Sequence, residues 1–389
     1  MKFKLLIISF DFRPHLGGVA TCAYELACAL SKQNIEVKVI APYSDGVDQF
    51  DQHNIFKTKR VKLQTSAIRS IFKLKKEIEN EIDYFHPAAM LNLLWMPDGL
   101  ATFFAHRKKI PYFQVIHGVE VIESLYSLRK ILRFTLSPLK NKVLKSAQEI
   151  FCVSHFTKEL VQRYCPISDD KIFIINNGAN PQNFYPKVKN DFLLRKHNLH
   201  HRFCFLTIGR LEDYKGIDMA IEAFRNLKHG PIPFKYLIGG TGPDLMKLKK
   251  MVKDFELQEF IEFIGMIPPE LLVDYYNLSD CFITLSREDY KTPNVEGFGL
   301  VFLEAALCQI PTLAGNSGGI PDAVIDPTTG WLVDPQNITQ IARTIESILQ
   351  SPEEVKKRGM NAYERVLSHL TWDHMANKII KRLEMHVRN

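Results

Sequence analysis

A chain of 389 residues exceeds what one hydrophobic core usually supports, and a hydrophobic content of 46% fills two, so two domains of similar size are expected. The net charge of +7 is uneven: residues 1–190 carry 27 Lys and Arg against 17 Asp and Glu, the remainder 23 against 26, which points to an anionic surface or ligand on the N-terminal side. No apolar run reaches the roughly 18 residues of a membrane span, the seven cysteines form no C-x-x-C pair and fit free thiols in a reducing cytosol, and the lack of a zinc finger, an RNP-like strand or a basic arm argues against nucleic acid as a partner.

Apolar runs of strand length alternate with helix-length amphipathic segments from end to end, the pattern of βαβ units and parallel sheets. Residues 5–10 form the first strand; Pro14, Gly17 and Gly18 then lead into a helix over 20–30 and a strand over 37–40. The intervening loop lacks the G-x-G-x-x-G spacing of a dinucleotide fingerprint. Its paired glycines still allow close backbone approach to a ligand, although a tight turn is the plainer reading. A basic helix over 66–82 and a strand over 89–95 follow. The strand over 112–116 ends directly in His117-Gly118. The carboxyl end of a central strand is where open α/β sheets bind ligands, while a lone histidine is more often structural. Residues 102–145 hold nine Lys and Arg and two Glu among aromatic and aliphatic residues, a mix suited to an anionic membrane surface or to a solvated face around a core stripe. Strands over 149–154 and 171–175 complete the first half, and Pro181, Pro186 and K-V-K-N-D mark a linker, giving domains at 1–186 and 187–370.

The second half restarts the rhythm. A strand over 203–208 runs into G-R-L-E-D-Y-K-G and a helix from 217; a strand over 234–238 runs into G-G-T-G-P-D and a helix; a strand over 260–264 runs into Gly265. Arg210 and Lys215 flank a turn that ends in Gly216, so both cations can point at one anion and neutralise a diphosphate leaving group without a metal. No D-x-D occurs in the chain. The strand over 281–285 opens a loop that reaches E-G-F-G-L-V-F-L-E, with Glu296 at its mouth and Glu304 in the following helix. The amides of Gly297, Phe298, Gly299 and Leu300 open that helix and suit a phosphate. Glu304, with apolar neighbours on both sides, is expected to be buried and held by partners. Helices starting near 337, 352 and 371 close the chain. Two sheets that both carry such loops at their carboxyl edges can face each other across a cleft that a nucleotide sugar would bridge.

G-G-V, I-H-G, V-S-H-F-T-K, I-N-N-G, G-R-L-E-D-Y-K-G, G-G-T-G-P-D, F-I-G-M-I, the E-x7-E element and S-G-G-I-P-D-A-V together resemble the family-4 retaining glycosyltransferases of the GT-B fold, glycosyltransferase group 1, over nearly the whole chain. The resemblance implies an α/β fold of two Rossmann-like doubly wound domains, with the acceptor on the first, the sugar nucleotide mostly on the second, and a final helix over 371–389 crossing back to the first. It implies that Arg210 and Lys215 bind the diphosphate, that Gly17 and Gly18 approach it, and that Met266 meets the base through its backbone. His117 would bond the transferred sugar, Glu296 would lie near that sugar, and Glu304 would hold the ribose hydroxyls.

The function so implied is metal-independent, cofactor-free, retaining transfer of a hexose from a UDP- or GDP-sugar to a glycan or lipid-linked glycan. It would occur in the cytoplasm or on the inner face of the membrane. A nucleotide-sugar 2-epimerase and a catalytically silent membrane- or partner-binding module are the rival readings on this fold. Three departures stand out: the lengthening R-E-D-Y-K-T-P-N-V, which leaves the donor open; Gln309 where a helix-ending glycine is typical; and Asp322 in place of the commoner Glu after G-G-x-P.

Overall fold

The computed structural model describes residues 3–62, 67–105, 110–122, 137–288 and 294–387. The chain divides into two compact units, Met1–Gly178 with Trp372–Asn389, and Ala179–Tyr290 with Asn294–Thr371. The stretch expected to be a linker belongs to the second unit. Lys189 Nζ lies 2.6 Å from Asp280 Oδ1, the Lys187 amide donates to Asn277 Oδ1 at 2.6 Å, and Lys187 Nζ pairs with Asp274.

The first unit is built on seven parallel strands, β1 (Lys4–Ile8), β2 (Glu36–Pro42), β3 (Lys57–Val61), β4 (Ala89–Asn92), β5 (Tyr112–Ile116), β6 (Ile150–Cys152) and β7 (Ile172–Ile174), in the order β3-β2-β1-β4-β5-β6-β7. β4 and β5 are buried throughout, which is why they read as unbroken apolar runs: helices cover both faces of a parallel sheet. The helix Trp372–Val387 belongs to this unit and packs against Gly18–Lys32. Its Arg382 Nε lies 2.9 Å and its His386 Nε2 2.8 Å from the carboxylate of buried Glu149, and the guanidinium sits 3.6 Å from the centroid of the Phe173 ring. A carboxylate buried there is tolerable only with such partners.

The second unit repeats the architecture with six parallel strands, β8 (Phe203–Ile208), β9 (Phe234–Gly239), β10 (Ile261–Gly265), β11 (Cys281–Thr284), β12 (Thr312–Gly315) and β13 (Gly330–Val333), in the order β10-β9-β8-β11-β12-β13. One face of its core centres on Phe224, whose ring lies 5.0 Å from both Phe234 and Tyr236. After the helix Leu300–Leu307, Gln309 adopts φ +61°, the left-handed turn that a glycine makes without strain.

Strand order reverses between β1 and β4 and again between β8 and β11. Loops leaving neighbouring strands diverge there and open a crevice at the carboxyl edge, the usual place for a ligand on such sheets. Among the described residues no helix is long and apolar enough to cross a membrane. Residues 106–109 and 123–136, which hold six of the nine Lys and Arg of the stretch proposed for a membrane surface, lie outside the described residues. Lys140 drops out of any charged face, because it is buried and its Nζ donates to the Val121 carbonyl at 2.9 Å.

Candidate functional site

At the carboxyl edge of the second sheet, the segments that follow β8 and β9 and the end of β10 are locked together through their backbones. The Leu211 amide donates to the Thr241 carbonyl at 3.0 Å and the Gly240 amide to the Gly265 carbonyl at 2.7 Å. Gly240 has φ +124°, and a Cβ there would stand 1.9 Å from the Gly209 carbonyl oxygen, so only glycine fits. The turn Asp213–Lys215 closes at Gly216, φ +65°, where a Cβ would stand 2.0 Å from the Leu285 carbonyl oxygen. The turn is thereby pressed onto the end of β11.

This packing brings Lys215 to Glu296. Nζ donates to Oε2 at 2.5 Å, each side chain is 16% exposed, and the ammonium also lies 4.9 Å from the centroid of the Tyr214 ring. Burial disfavours the lysine's charge, but the carboxylate and Tyr214 more than offset this and raise its pKa above the usual value. Arg210 stands in the open, 75% exposed, with Nη2 on the Glu212 carboxylate. The Glu296 carbonyl accepts from the Gly319 amide at 2.8 Å, which fixes the backbone at the mouth of the glycine turn. Phe298 is buried behind it, and Gly299, φ +92°, opens the helix Leu300–Leu307 with no side chain capping the first turn. Met266 follows Gly265 and is 60% exposed.

Glu304 corrects the sequence expectation, because it is half-buried rather than enclosed. Its Oε2 accepts from Tyr276 Oη at 2.7 Å, so a buried phenol supplies the polar tip that the apolar neighbours of the helix lack. Other members of the site carried no local signal. Arg287 Nη2 bridges Asp213 Oδ2 at 2.8 Å and Asp218 Oδ2 at 3.0 Å, and Lys247 Nζ lies 3.0 Å from Asp213 Oδ1. The hydroxyls of Ser286 and Ser317, after β11 and β12, are buried without a hydrogen-bond partner among the described residues. Nor, among the described residues, do three His, Cys, Asp or Glu side chains gather as a metal site.

In the first unit the loops after β1 and β4 meet on Asp98, a fully buried carboxyl that accepts from the Phe10 amide at 2.8 Å and the Leu94 amide at 3.0 Å. Burial raises its pKa well above the carboxylate range. Gly17 precedes the first helix with extended backbone, and nothing among the described residues would meet a Cβ on Gly18. His117 leaves the end of β5 with its amide on the Glu120 carboxylate and its ring bonded to the Leu93 backbone. Nε2 is shielded and has no partner among the described residues. Burial lowers the ring pKa to about 4, so the imidazole is neutral near neutrality and can accept a hydroxyl proton. Its ring protons should show no NMR titration between about pH 5 and 8; a midpoint near the ordinary value of about 6.5 would show that water reaches the ring.

Residues 16–183 match the family described as Glycosyltransferase Family 4, and residues 190–365 the one described as Glycosyl transferases group 1. A curated GDP-mannose-dependent alpha-(1-6)-phosphatidylinositol monomannoside mannosyltransferase of Mycolicibacterium smegmatis is 27% identical over 378 residues, 95% of this chain and 95% of that protein. A glycosyltransferase from Rickettsia africae ESF-5 has a similar structure, with TM-score 0.81 at 20% identity over 100% of this chain and 99% of that one. Anabaena HepE in complex with UDP and glucose gives TM-score 0.78 at 16% identity over 98% and 100%. The two family matches between them take in nearly the whole chain, the two doubly wound sheets are those of the similar structures, and the chain belongs to the family-4, group 1 glycosyltransferases of the GT-B fold.

Proposed function

We propose that this protein is a retaining hexosyltransferase that moves a hexose from a GDP- or UDP-linked donor to a glycan or lipid-linked glycan in surface polysaccharide or glycolipid synthesis, at the cytoplasmic side and without a metal. The observation that carries this reading is the contact of Lys215 with Glu296, made from the same loop that carries Arg210, ahead of the uncapped first turn of Leu300–Leu307. Cations and amides suited to a diphosphate stand next to a carboxylate suited to a sugar hydroxyl. The GDP-mannose dependence and lipid acceptor in the mycobacterial relative's name favour a guanosine donor and a lipid-linked acceptor here. The UDP in the HepE complex keeps a uridine donor in the test. The segment 102–145 is assigned to an anionic membrane surface on its sequence alone.

In this reaction the acceptor oxygen bonds to the anomeric carbon as the bond from that carbon to the phosphate oxygen breaks. The electron pair leaves with the diphosphate, and the acceptor proton passes to the departing phosphate oxygen on the same face. No protein nucleophile is needed, so side chains act by placing the reactants and stabilising the leaving charge. Arg210 and Lys215 take the diphosphate, Glu296 orients the hexose, Glu304 holds the ribose, the backbone at Met266 meets the base, and His117 offers a neutral acceptor to a hydroxyl.

The test is nucleoside diphosphate release from GDP-mannose and UDP-glucose, with and without a lipid extract, followed by NMR of the anomeric configuration. Acceptor-dependent release, retention of configuration and indifference to EDTA are expected. Free sugar formed without acceptor would identify an epimerase. Absence of turnover, with no thermal shift where a ligand at 100 times its Kd adds about 2.7 kcal/mol, would leave a silent binding module.

A further inference from the structure

The turn that presents Lys215 is held from outside by a residue of the lengthened connection. Arg287 is only 14% exposed, and a single nitrogen, Nη2, spans Asp213 in the turn and Asp218 in the first turn of the helix Ile217–Arg225. Its own amide donates to the Tyr214 carbonyl at 2.8 Å. Side chain and backbone of one residue thus grip all three parts of the segment: Asp213 and Tyr214 on one side of Lys215, and the helix start on the other. In the same segment, two residues before Arg287, the Leu285 carbonyl lies against Gly216. The neighbouring Glu288 accepts from the Gly318 amide at 3.3 Å, so the connection is also tied towards β12. Asp213 alone, half-exposed and shared with Lys247, would not hold the turn in one place.

We propose that Arg287 is a positioning residue for the donor site, acting through the 213–215 turn to set Lys215 and its Glu296 partner where a nucleoside diphosphate is met. The assignment rests on the function proposed above. It also gives the start of the lengthened connection a role: the added segment begins with the clamp on the turn.

The prediction is read as the Kd of GDP and UDP by calorimetry, in single and double variants. Arg287→Ala is expected to weaken nucleotide binding about tenfold, within the range for coupled neighbours. Arg287→Lys should restore most of it, because one nitrogen makes both carboxylate contacts and a point charge can replace it. In a Lys215→Ala background, Arg287→Ala should change Kd by less than about twofold, since the group it places is gone. A purely structural Arg287 would give additive losses in the double variant, and that result overturns the assignment even if Arg287→Ala folds poorly, because Asp213→Asn supplies the same cycle. Wild-type protein that binds neither GDP nor UDP overturns the donor-site reading itself and this assignment with it, whereas wild-type binding with additive losses overturns only Arg287.

Discussion

Arg210→Ala and Lys215→Ala should each lower kcat by more than about 100-fold, the scale for removing one preorganised group that stabilises developing charge. The two losses are expected to differ in character. Lys215 is enclosed against Tyr214 and Glu296, where water screens little, so its removal also strands the Glu296 carboxylate. Arg210 is largely solvated and pairs with Glu212, so its contribution arises once both oxygens of a phosphate can sit on its fork. Arg210→Lys should therefore restore little, because an ammonium offers a point charge and not a planar pair of donors. Activity should survive EDTA. Steady-state kinetics with and without chelator decides the matter: activity lost to chelation, rescued by magnesium or manganese, and retained by Arg210→Ala would show that a metal carries the leaving charge.

What the sequence made legible follows from burial. β5 and β8 coincide with apolar runs because both faces of those strands are covered, and the ends of such runs mark the carboxyl edge where His117 and Arg210 emerge. β3 was not legible. It is an edge strand whose residues Lys57, Thr58, Lys59 and Arg60 meet solvent or ion-pair partners, so no hydrophobic pattern announces it. β12 and β13 are four residues each, too short for periodicity to register. Within the site, single residues were visible and their pairings were not. Lys215 and Glu296 are 81 positions apart, and Arg287 and Asp218 are 69 apart; only the strand order that places β8 beside β11 brings them together. The burial of Glu304 was overestimated for a related reason. Its helix neighbours are apolar, but its partner Tyr276 comes from a helix 28 positions earlier.

Glu304→Ala is expected to weaken GDP or UDP binding about tenfold or more, the scale for losing a hydrogen bond to a charged group, while Glu296→Ala should lower kcat about 100-fold with little loss of free nucleotide affinity. The division follows from where the two carboxylates are fixed. Glu304 lies in the helix that the glycine turn opens, with its Oε2 on the Tyr276 hydroxyl, and in the proposed site it accepts from the ribose hydroxyls. Glu296 is at the mouth, its carboxylate on Lys215 and its carbonyl on the Gly319 amide. Removing the Glu296 carboxylate releases Lys215 to the phosphates, which preserves or strengthens binding of the bare diphosphate. In the proposed role Glu296 orients the reacting sugar, so the cost of its loss is expected to fall on turnover. Glu296→Gln keeps the size of the side chain and removes its charge, and should behave like Glu296→Ala in both measurements. Calorimetry with GDP and UDP, set beside kcat for the same variants, checks the separation; equal losses of nucleotide affinity at positions 296 and 304 would show that the two carboxylates share one role.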